Sequence, residues 1–336
     1  MSVPRSSRSR VLSGIRPTGQ GKHLGNYLGA VRQWVAMQDE HECFFFVADL
    51  HALTTTEGGA QLRENTRATV AELLALGVDP ERSAVFAQSH LPEHTELAWV
   101  LQCLTGFGEA SRMTQFKDKG GTGANVGLFT YPVLQAADIL LYQPDAVPVG
   151  EDQRQHLELT RDLAQRFNSR YGTTFTVPAP YTQTAAQRIK DLQDPAVKMS
   201  TSRGGSGTLW VVDDPKTITK KVKSAVTDTG REVRAADDKP GITNLLTILS
   251  VCTGKAVPEL EAAYDGKGYG DFKADVAEAV VELFAPVRER YAELIADKAH
   301  LDDVLAAGAD RARHTVVRTM STVRKRVGLL APTRRR

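Results

Sequence analysis

Two stretches, far apart in the chain, carry residue types suited to gripping a polyphosphate. The first is Ser13-Gly14-Ile15-Arg16-Pro17-Thr18-Gly19-Gln20-Gly21-Lys22-His23-Leu24-Gly25-Asn26. Its glycines, set between an apolar run and an amphipathic stretch, read as a turn from a strand into a helix. Such a turn bares backbone N–H groups at a helix N-terminus, where a phosphate can sit. The second is Lys198-Met199-Ser200-Thr201-Ser202, followed by Arg203-Gly204-Gly205-Ser206-Gly207. A lysine and hydroxyls ahead of glycines suit a mobile loop with a positive head. Together the two stretches describe an enzyme that holds a nucleoside triphosphate from two sides.

The elements that must position these residues follow from apolar periodicity. Residues 11–15 read as a strand, and 24–38 as a helix with apolar residues at 24, 28, 31 and 35. Residues 43–48 form a buried-strand run, 62–76 a second helix closed by Gly77, and 84–87 a third strand. Pro92 suits the first turn of the next helix. Helices are expected at 112–119 and 132–142, a strand at 146–149 and a helix at 152–167. From Asp213 the pattern is mostly helical. Asp213 and Asp214 before Pro215 supply N-cap chemistry, and 266–270 reads as a loop. Strand–helix alternation predicts an α/β fold, a Rossmann-like doubly wound parallel sheet, followed by an α-helical domain. In such sheets ligands bind beyond the carboxyl ends of the strands, where the first motif falls.

A length of 336 residues allows about two domains. The expected division is a tail at 1–10, a nucleotide-binding domain at 11–203 with a helical insertion at about 105–175, a helical domain at 204–330, and a basic tail at 331–336. No apolar run reaches the ~18 residues of a membrane span, so no membrane partner is expected. Cys43, Cys103 and Cys252 are odd in number and widely spaced, against a disulfide framework or a zinc site. They point to the cytoplasm. From Arg311 to Arg336 there are nine Lys and Arg and no Asp or Glu. Such a helix either contacts nucleic acid or is a solvated face.

The chain resembles the bacterial tryptophanyl-tRNA synthetases, of class I, from about residue 12 to 329. The likeness is carried by Ser13-Gly14-Ile15-Arg16-Pro17-Thr18-Gly19, Arg112-Met113-Thr114-Gln115-Phe116-Lys117, Ala136-Ala137-Asp138-Ile139-Leu140, Val149-Gly150-Glu151-Asp152-Gln153 and Pro240-Gly241-Ile242-Thr243-Asn244-Leu245-Leu246. The resemblance implies ATP-dependent attachment of L-tryptophan to tRNA(Trp). The amino-acid carboxylate attacks the α-phosphorus, tryptophanyl-adenylate forms, pyrophosphate leaves, and the terminal ribose hydroxyl of tRNA takes the tryptophanyl group, releasing AMP. It also implies Mg²⁺, a homodimer with 126–142 as candidate interface, and anticodon recognition in the helical half.

Residue by residue, His23-Leu24-Gly25-Asn26 matches the family's "HIGH" region, with His23 as a donor to developing phosphate charge. Arg16, Pro17, Thr18, Gly25 and Asn26 fall at the ATP site. Lys198, Met199, Ser200, Thr201 and Ser202 match the "KMSKS" loop, and Lys117 a lysine that reaches the triphosphate. Gly150, Glu151 and Asp152 match a ribose-binding segment, and Ile189 a backbone contact to adenine. Asp138 matches the acceptor of the indole N–H; considered alone, it is a helix carboxylate paired with a nearby arginine. Gln153 and His51 match residues near the amino acid. Two positions depart from the pattern. Thr201 replaces the family's second lysine, leaving Arg203, Lys117 or Mg²⁺ to supply the charge. Arg16 stands where many relatives carry glutamine, which suggests that Arg16 and Thr201 are coupled in a specialised copy. The rivals are a tyrosyl-type synthetase and a non-catalytic tryptophan-sensing or partner-binding paralogue.

Overall fold

The computed structural model describes residues 8–55, 58–113, 125–148, 153–181, 189–201 and 203–330. Five parallel strands form its sheet: β1 (Arg10–Ile15), β2 (Glu42–Val47), β3 (Ala84–Ala87), β4 (Ala146–Pro148) and β5 (Ala179–Tyr181), in the order β3-β2-β1-β4-β5. The order reverses between β1 and β4, as in a doubly wound sheet. The expected α/β fold with helical material following it is what forms.

Side-chain alternation explains why both faces are covered. Along β2, Cys43, Phe45 and Val47 enter one core cluster, while Phe44 and Phe46 enter the other. In β3, Val85 and Ala87 face the first cluster and Ala84 and Phe86 the second. A strand buried on both faces reads as a continuous apolar run, as Phe44-Phe45-Phe46 does. On the first face Trp34 stacks on Phe45 at 4.8 Å between ring centroids. On the second lie the helices Glu93–Gln102, Val126–Leu141 and Arg154–Tyr171.

Several boundaries differ from expectation, each for a local reason. The first helix is interrupted: Leu24–Asn26 passes through a π-helical stretch, Tyr27–Val31, into Arg32–Met37. The helix expected to start at Pro132 starts at Val126, because Asn125 caps it by accepting the Leu128 N–H at 2.8 Å. A helix forms at Phe107–Ser111, and 114–119 of the helix expected at 112–119 lie outside the described residues. The 105–175 span carries β4 as well as helices. Pro178 and Pro180 concealed β5. Proline cannot donate to a ladder, which is tolerated at a sheet edge, and β5 is an edge. Of the two candidate caps, Asp214 takes the N–H groups of Lys216 and Thr217, while Asp213 binds Lys221 Nζ at 2.7 Å. The 266–270 loop ends at Gly268, the cap of Tyr269–Ala296.

The helical half folds back on the sheet. In the last helix, Lys298–Val327, Leu301, Val304 and Leu305 join the first cluster, and Ala309, Ala312, Val316, Met320 and Val323 the second. It therefore runs along the β3 edge and covers it. Gly308 permits the approach, since a Cβ there would come within 1.8 Å of the Val85 carbonyl oxygen. Two of its arginines are occupied internally. Arg311 donates to the carbonyls of Pro80, Glu81 and Ser83, and Arg324 pairs with Glu96.

Candidate active site

At the carboxyl ends of β1 and β2 lies a cavity of about 340 Å³. Its walls include Gly14 in β1 and Arg16 just after it, Phe46 and His51 from the β2 end, Tyr131, Gln135 and Asp138 from the helix Val126–Leu141, and Gln153. That volume is at the small end for ligand sites and suits a single amino acid.

Asp138 is 1% exposed and heavily bonded. Its Oδ1 accepts from Gln88 Nε2 at 2.7 Å and lies 2.6 Å from His94 Nδ1, while its Oδ2 lies 2.7 Å from His51 Nε2. Burial opposes its ionisation, but the two histidines outweigh burial and hold the carboxyl down to about 2. Among the described residues its hydrogen-bond partners include no arginine; histidines and an amide take that place. Earlier on the same helix, the Tyr131 hydroxyl lies 2.6 Å from His156 Nε2, and burial pushes its phenol up to about 12. Gln135 Nε2 donates to Gln153 Oε1 at 3.2 Å.

The two polyphosphate motifs meet beside this cavity. Leu24 N–H donates to the Leu209 carbonyl at 2.8 Å and Val211 N–H to that of Lys22 at 2.9 Å, so the segment after the lysine loop is pinned to the turn. His23 is the helix cap: its Nδ1 accepts the Asn26 N–H at 3.2 Å, and Asn26 Oδ1 accepts the His23 N–H at 3.2 Å. Burial, with Lys198 and Lys22 nearby, lowers the imidazole to about 4. His23 is thus neutral at pH 7, with its proton on Nε2 and available to donate. Gly25 leaves room for that ring, since a Cβ there would meet it at 3.1 Å. Below the turn, Lys22 Nζ donates to the Arg16 carbonyl at 3.1 Å, and Glu72 Oε1 accepts the Lys22 N–H at 3.3 Å. Pro17 is buried, whereas the Arg16 side chain is exposed over the cavity and its Nη2 reaches Thr55 Oγ1 at 3.3 Å.

A model of the class I tRNA synthetases for tryptophan and tyrosine matches residues 5–285. The chain belongs to this family. It is 59% identical over 97% of its length, and 98% of the relative's, to tryptophan–tRNA ligase 2 of Streptomyces avermitilis. It is 54% identical over 96% of its length, and 95% of the relative's, to tryptophan–tRNA ligase of Corynebacterium efficiens. Among solved structures it resembles the Campylobacter jejuni tryptophanyl-tRNA synthetase complexed with ADP and tryptophan, with a TM-score of 0.85 and 36% identity over 95% of this chain and all of that one.

Within this synthetase, Arg16, His51, Asp138 and Gln153 lie at one cavity. The Met199 side chain is fully buried. Its N–H donates to the Ile189 carbonyl at 3.1 Å, so this pair anchors the loop on the core. Thr201 is half-buried. Arg203, a candidate for the missing charge, is drawn to Asp194 at 3.1 Å. Lys117, Gly150, Glu151, Asp152 and Ser202 lie outside the described residues. Sequence reading missed Gln88, His94, Tyr142, Tyr131, His156 and Glu72. One signal for His94 was present: it shares the buried face of its helix with Leu97, Ala98 and Leu101, and a histidine on an apolar stripe must find a polar partner.

Proposed function

We propose that the chain is a tryptophan–tRNA ligase that makes tryptophanyl-adenylate from L-tryptophan and ATP and passes the tryptophanyl group to tRNA(Trp). The observation that carries this reading is the identity above 50% over nearly the whole chain with two proteins named for that activity. The cavity supports it. Asp138 offers a buried acceptor for the indole N–H, and a site built around such an acceptor rejects analogues lacking the donor. Gln153 and His51 lie at the same cavity to orient the amino acid.

The chemistry then rests on placement and charge. Arg16, Pro17, Thr18, Gly25 and Asn26 form the turn that receives ATP, and neutral His23 donates from Nε2 as charge grows on the phosphates. Lys198, Ser200 and Ser202 close from the other side with Thr201, while Lys117, Gly150, Glu151, Asp152 and Ile189 complete the nucleotide contacts. Holding the carboxylate against the α-phosphorus supplies most of the acceleration. Among the described residues no group of three His, Cys, Asp or Glu gathers as a metal cage. Mg²⁺ therefore suits this chain as an ion carried on the phosphates, neutralising their charge.

Residues 11–203 serve ATP and tryptophan in this reading, and 204–330 supply anticodon recognition. Arg313, Lys325 and Arg326 are among the exposed basic residues on the last helix that suit a tRNA backbone. The homodimer face is best sought at Phe107 and Val126, which are exposed. Most of 133–142 is buried within the subunit and so unsuited to that role. Among the described residues no helix is long and apolar enough to cross a membrane, and the three cysteines are free thiols, which suits the cytoplasm.

The test is tryptophan-dependent ATP–pyrophosphate exchange by wild type and Thr201→Lys, with tyrosine as control. Exchange with tryptophan alone is expected. Exchange with tyrosine would favour the tyrosyl-type reading. Binding of tryptophan without exchange would favour a sensor, a reading that Thr201 and the engaged Arg203 keep specific.

A further inference from the structure

Behind the cavity, the carboxylate of Asp138 continues into a buried chain. His94 is fully buried, with Nδ1 2.6 Å from Asp138 Oδ1 and Nε2 2.9 Å from the Tyr142 hydroxyl. Tyr142 is fully buried too, against Phe44 and Phe86. Because an ionised carboxylate only accepts, each partner of Asp138 must donate. The His94 proton therefore sits on Nδ1. In a neutral imidazole Nε2 is then an acceptor, and the Tyr142 O–H donates to it. Gln88 Nε2 also donates to Oδ1, and Gln88 is fully buried. Oδ1 thus receives two donors from the buried side, and Oδ2 one, from His51. Asp138 and His51 line the cavity, whereas His94, Gln88 and Tyr142 do not. The oxygen with spare accepting capacity is the one on the cavity side.

We propose that His94 and Tyr142 are positioning residues for amino-acid selection. The relay from Tyr142 O–H to His94 Nε2, and from His94 Nδ1–H to Asp138 Oδ1, fixes the carboxylate plane so that Oδ2 presents one lone pair to an incoming ring N–H. The inference rests on the reading of Asp138 as the indole acceptor. It extends that reading to residues that never touch the substrate. Without the relay, Gln88 alone holds Oδ1 from the buried side, the carboxylate is less firmly fixed about its Cβ–Cγ bond, and discrimination falls although the charge stays.

Tyr142→Phe tests this with little change of shape, since only a hydroxyl is lost. Pyrophosphate exchange is measured with tryptophan and with β-(3-benzothienyl)alanine, in which sulfur replaces the ring N–H. Wild type is expected to prefer tryptophan strongly in kcat/KM. Tyr142→Phe should cut that preference about tenfold through KM for tryptophan, leaving KM for ATP and kcat near wild type. His94→Leu should cut it further, and His94→Gln, which restores a donor to Oδ1, should recover part of it. Nitrogen-15 NMR of wild type should show the His94 proton on Nδ1. Equal loss for both amino acids, or an equal rise in KM for ATP, would overturn the relay and leave a packing role. Asp138→Ala, which leaves no acceptor where asparagine would keep an amide oxygen, separates the two claims in parallel. If it keeps the preference, the acceptor reading falls. If it abolishes the preference and Tyr142→Phe does not alter it, the relay alone falls.

Discussion

Two carboxylates in this chain are equally buried and are driven in opposite directions. Asp138 and Glu72 are each 1% exposed. Asp138 is held down to about 2, and Glu72 is pushed up to about 7. Burial raises both. What separates them is the electrostatic pull and hydrogen bonding of their neighbours, which outweigh burial at Asp138 through His51 and His94 but not at Glu72 through Lys22. Asp138 receives three side-chain partners across two oxygens. Glu72 receives one backbone N–H on Oε1, and its Oε2 has no hydrogen bond. Its charged neighbour is Lys22, itself lowered by burial against the pull of Glu72 and, in the opposite sense, Arg16. A carboxylate stays ionised inside a protein when enough hydrogen bonds replace its lost water. One site is therefore built to keep a fixed negative charge at the amino acid. The other leaves a titratable pair beneath the nucleotide turn.

The largest effect should come from Asp138→Ala. It removes the acceptor that three buried donors share, so His51, His94 and Gln88 are all stranded. Breaking such a cluster costs about 3–5 kcal/mol, read from urea unfolding at pH 7. Exchange with tryptophan should fall by about 10- to 100-fold or more in kcat/KM, with KM for ATP little changed. A loss below about 1 kcal/mol would mean that solvent replaces the carboxylate, and the contrast with Glu72 would collapse.

Glu72→Gln should show the opposite behaviour, with the effect depending on pH. The folded group titrates near 7 and an unfolded glutamate near 4.5. The stability tied to its protonated form is complete below pH 4.5 and is lost as pH rises through 7. Glutamine keeps an acceptor for the Lys22 N–H but cannot ionise. Between pH 4.5 and 7.5 the stability of the variant relative to wild type should therefore rise on the order of 3 kcal/mol. Urea unfolding at a series of pH values measures it. A flat difference would mean that Glu72 is ionised throughout and that Lys22 pairs with it fully.

The same comparison explains what the sequence revealed. The sheet was legible because burial on both faces leaves apolar runs such as Phe44-Phe45-Phe46, and alternation with helices fixes the class. The residues at the cavity were legible where a family motif carried them, as with Arg16 and Asp138. Their partners were not. Gln88 and His94 lie 50 and 44 residues from Asp138 in the chain, and no local period links them. Glu72 sits in an ordinary-looking helix, and only the fold brings it under Lys22. Arg203 shows the same limit: adjacency to Thr201 suggested a substitute cation, and only the fold shows that its guanidinium pairs with Asp194 at 3.1 Å.

Arg16 joins the two regions, and the smallest predicted effect concerns it. Its carbonyl is held by Lys22 Nζ on the Glu72 side, and its guanidinium reaches Thr55 over the cavity that contains Asp138. It brings a permanent charge to the edge of the nucleotide site, while Thr201 removes one from the facing loop. If the first offsets the second, Arg16→Gln should harm adenylation more in wild type than in Thr201→Lys. A double-mutant cycle on kcat/KM for ATP should then give a coupling of about 0.5–2 kcal/mol. Low salt sharpens the measurement, because both groups are near solvent and screening weakens their influence on the phosphates. Additivity within about 0.3 kcal/mol would make the two departures independent. Arg16 would then belong with the amino-acid cavity alone, and KM for tryptophan rather than for ATP should carry the effect of Arg16→Gln.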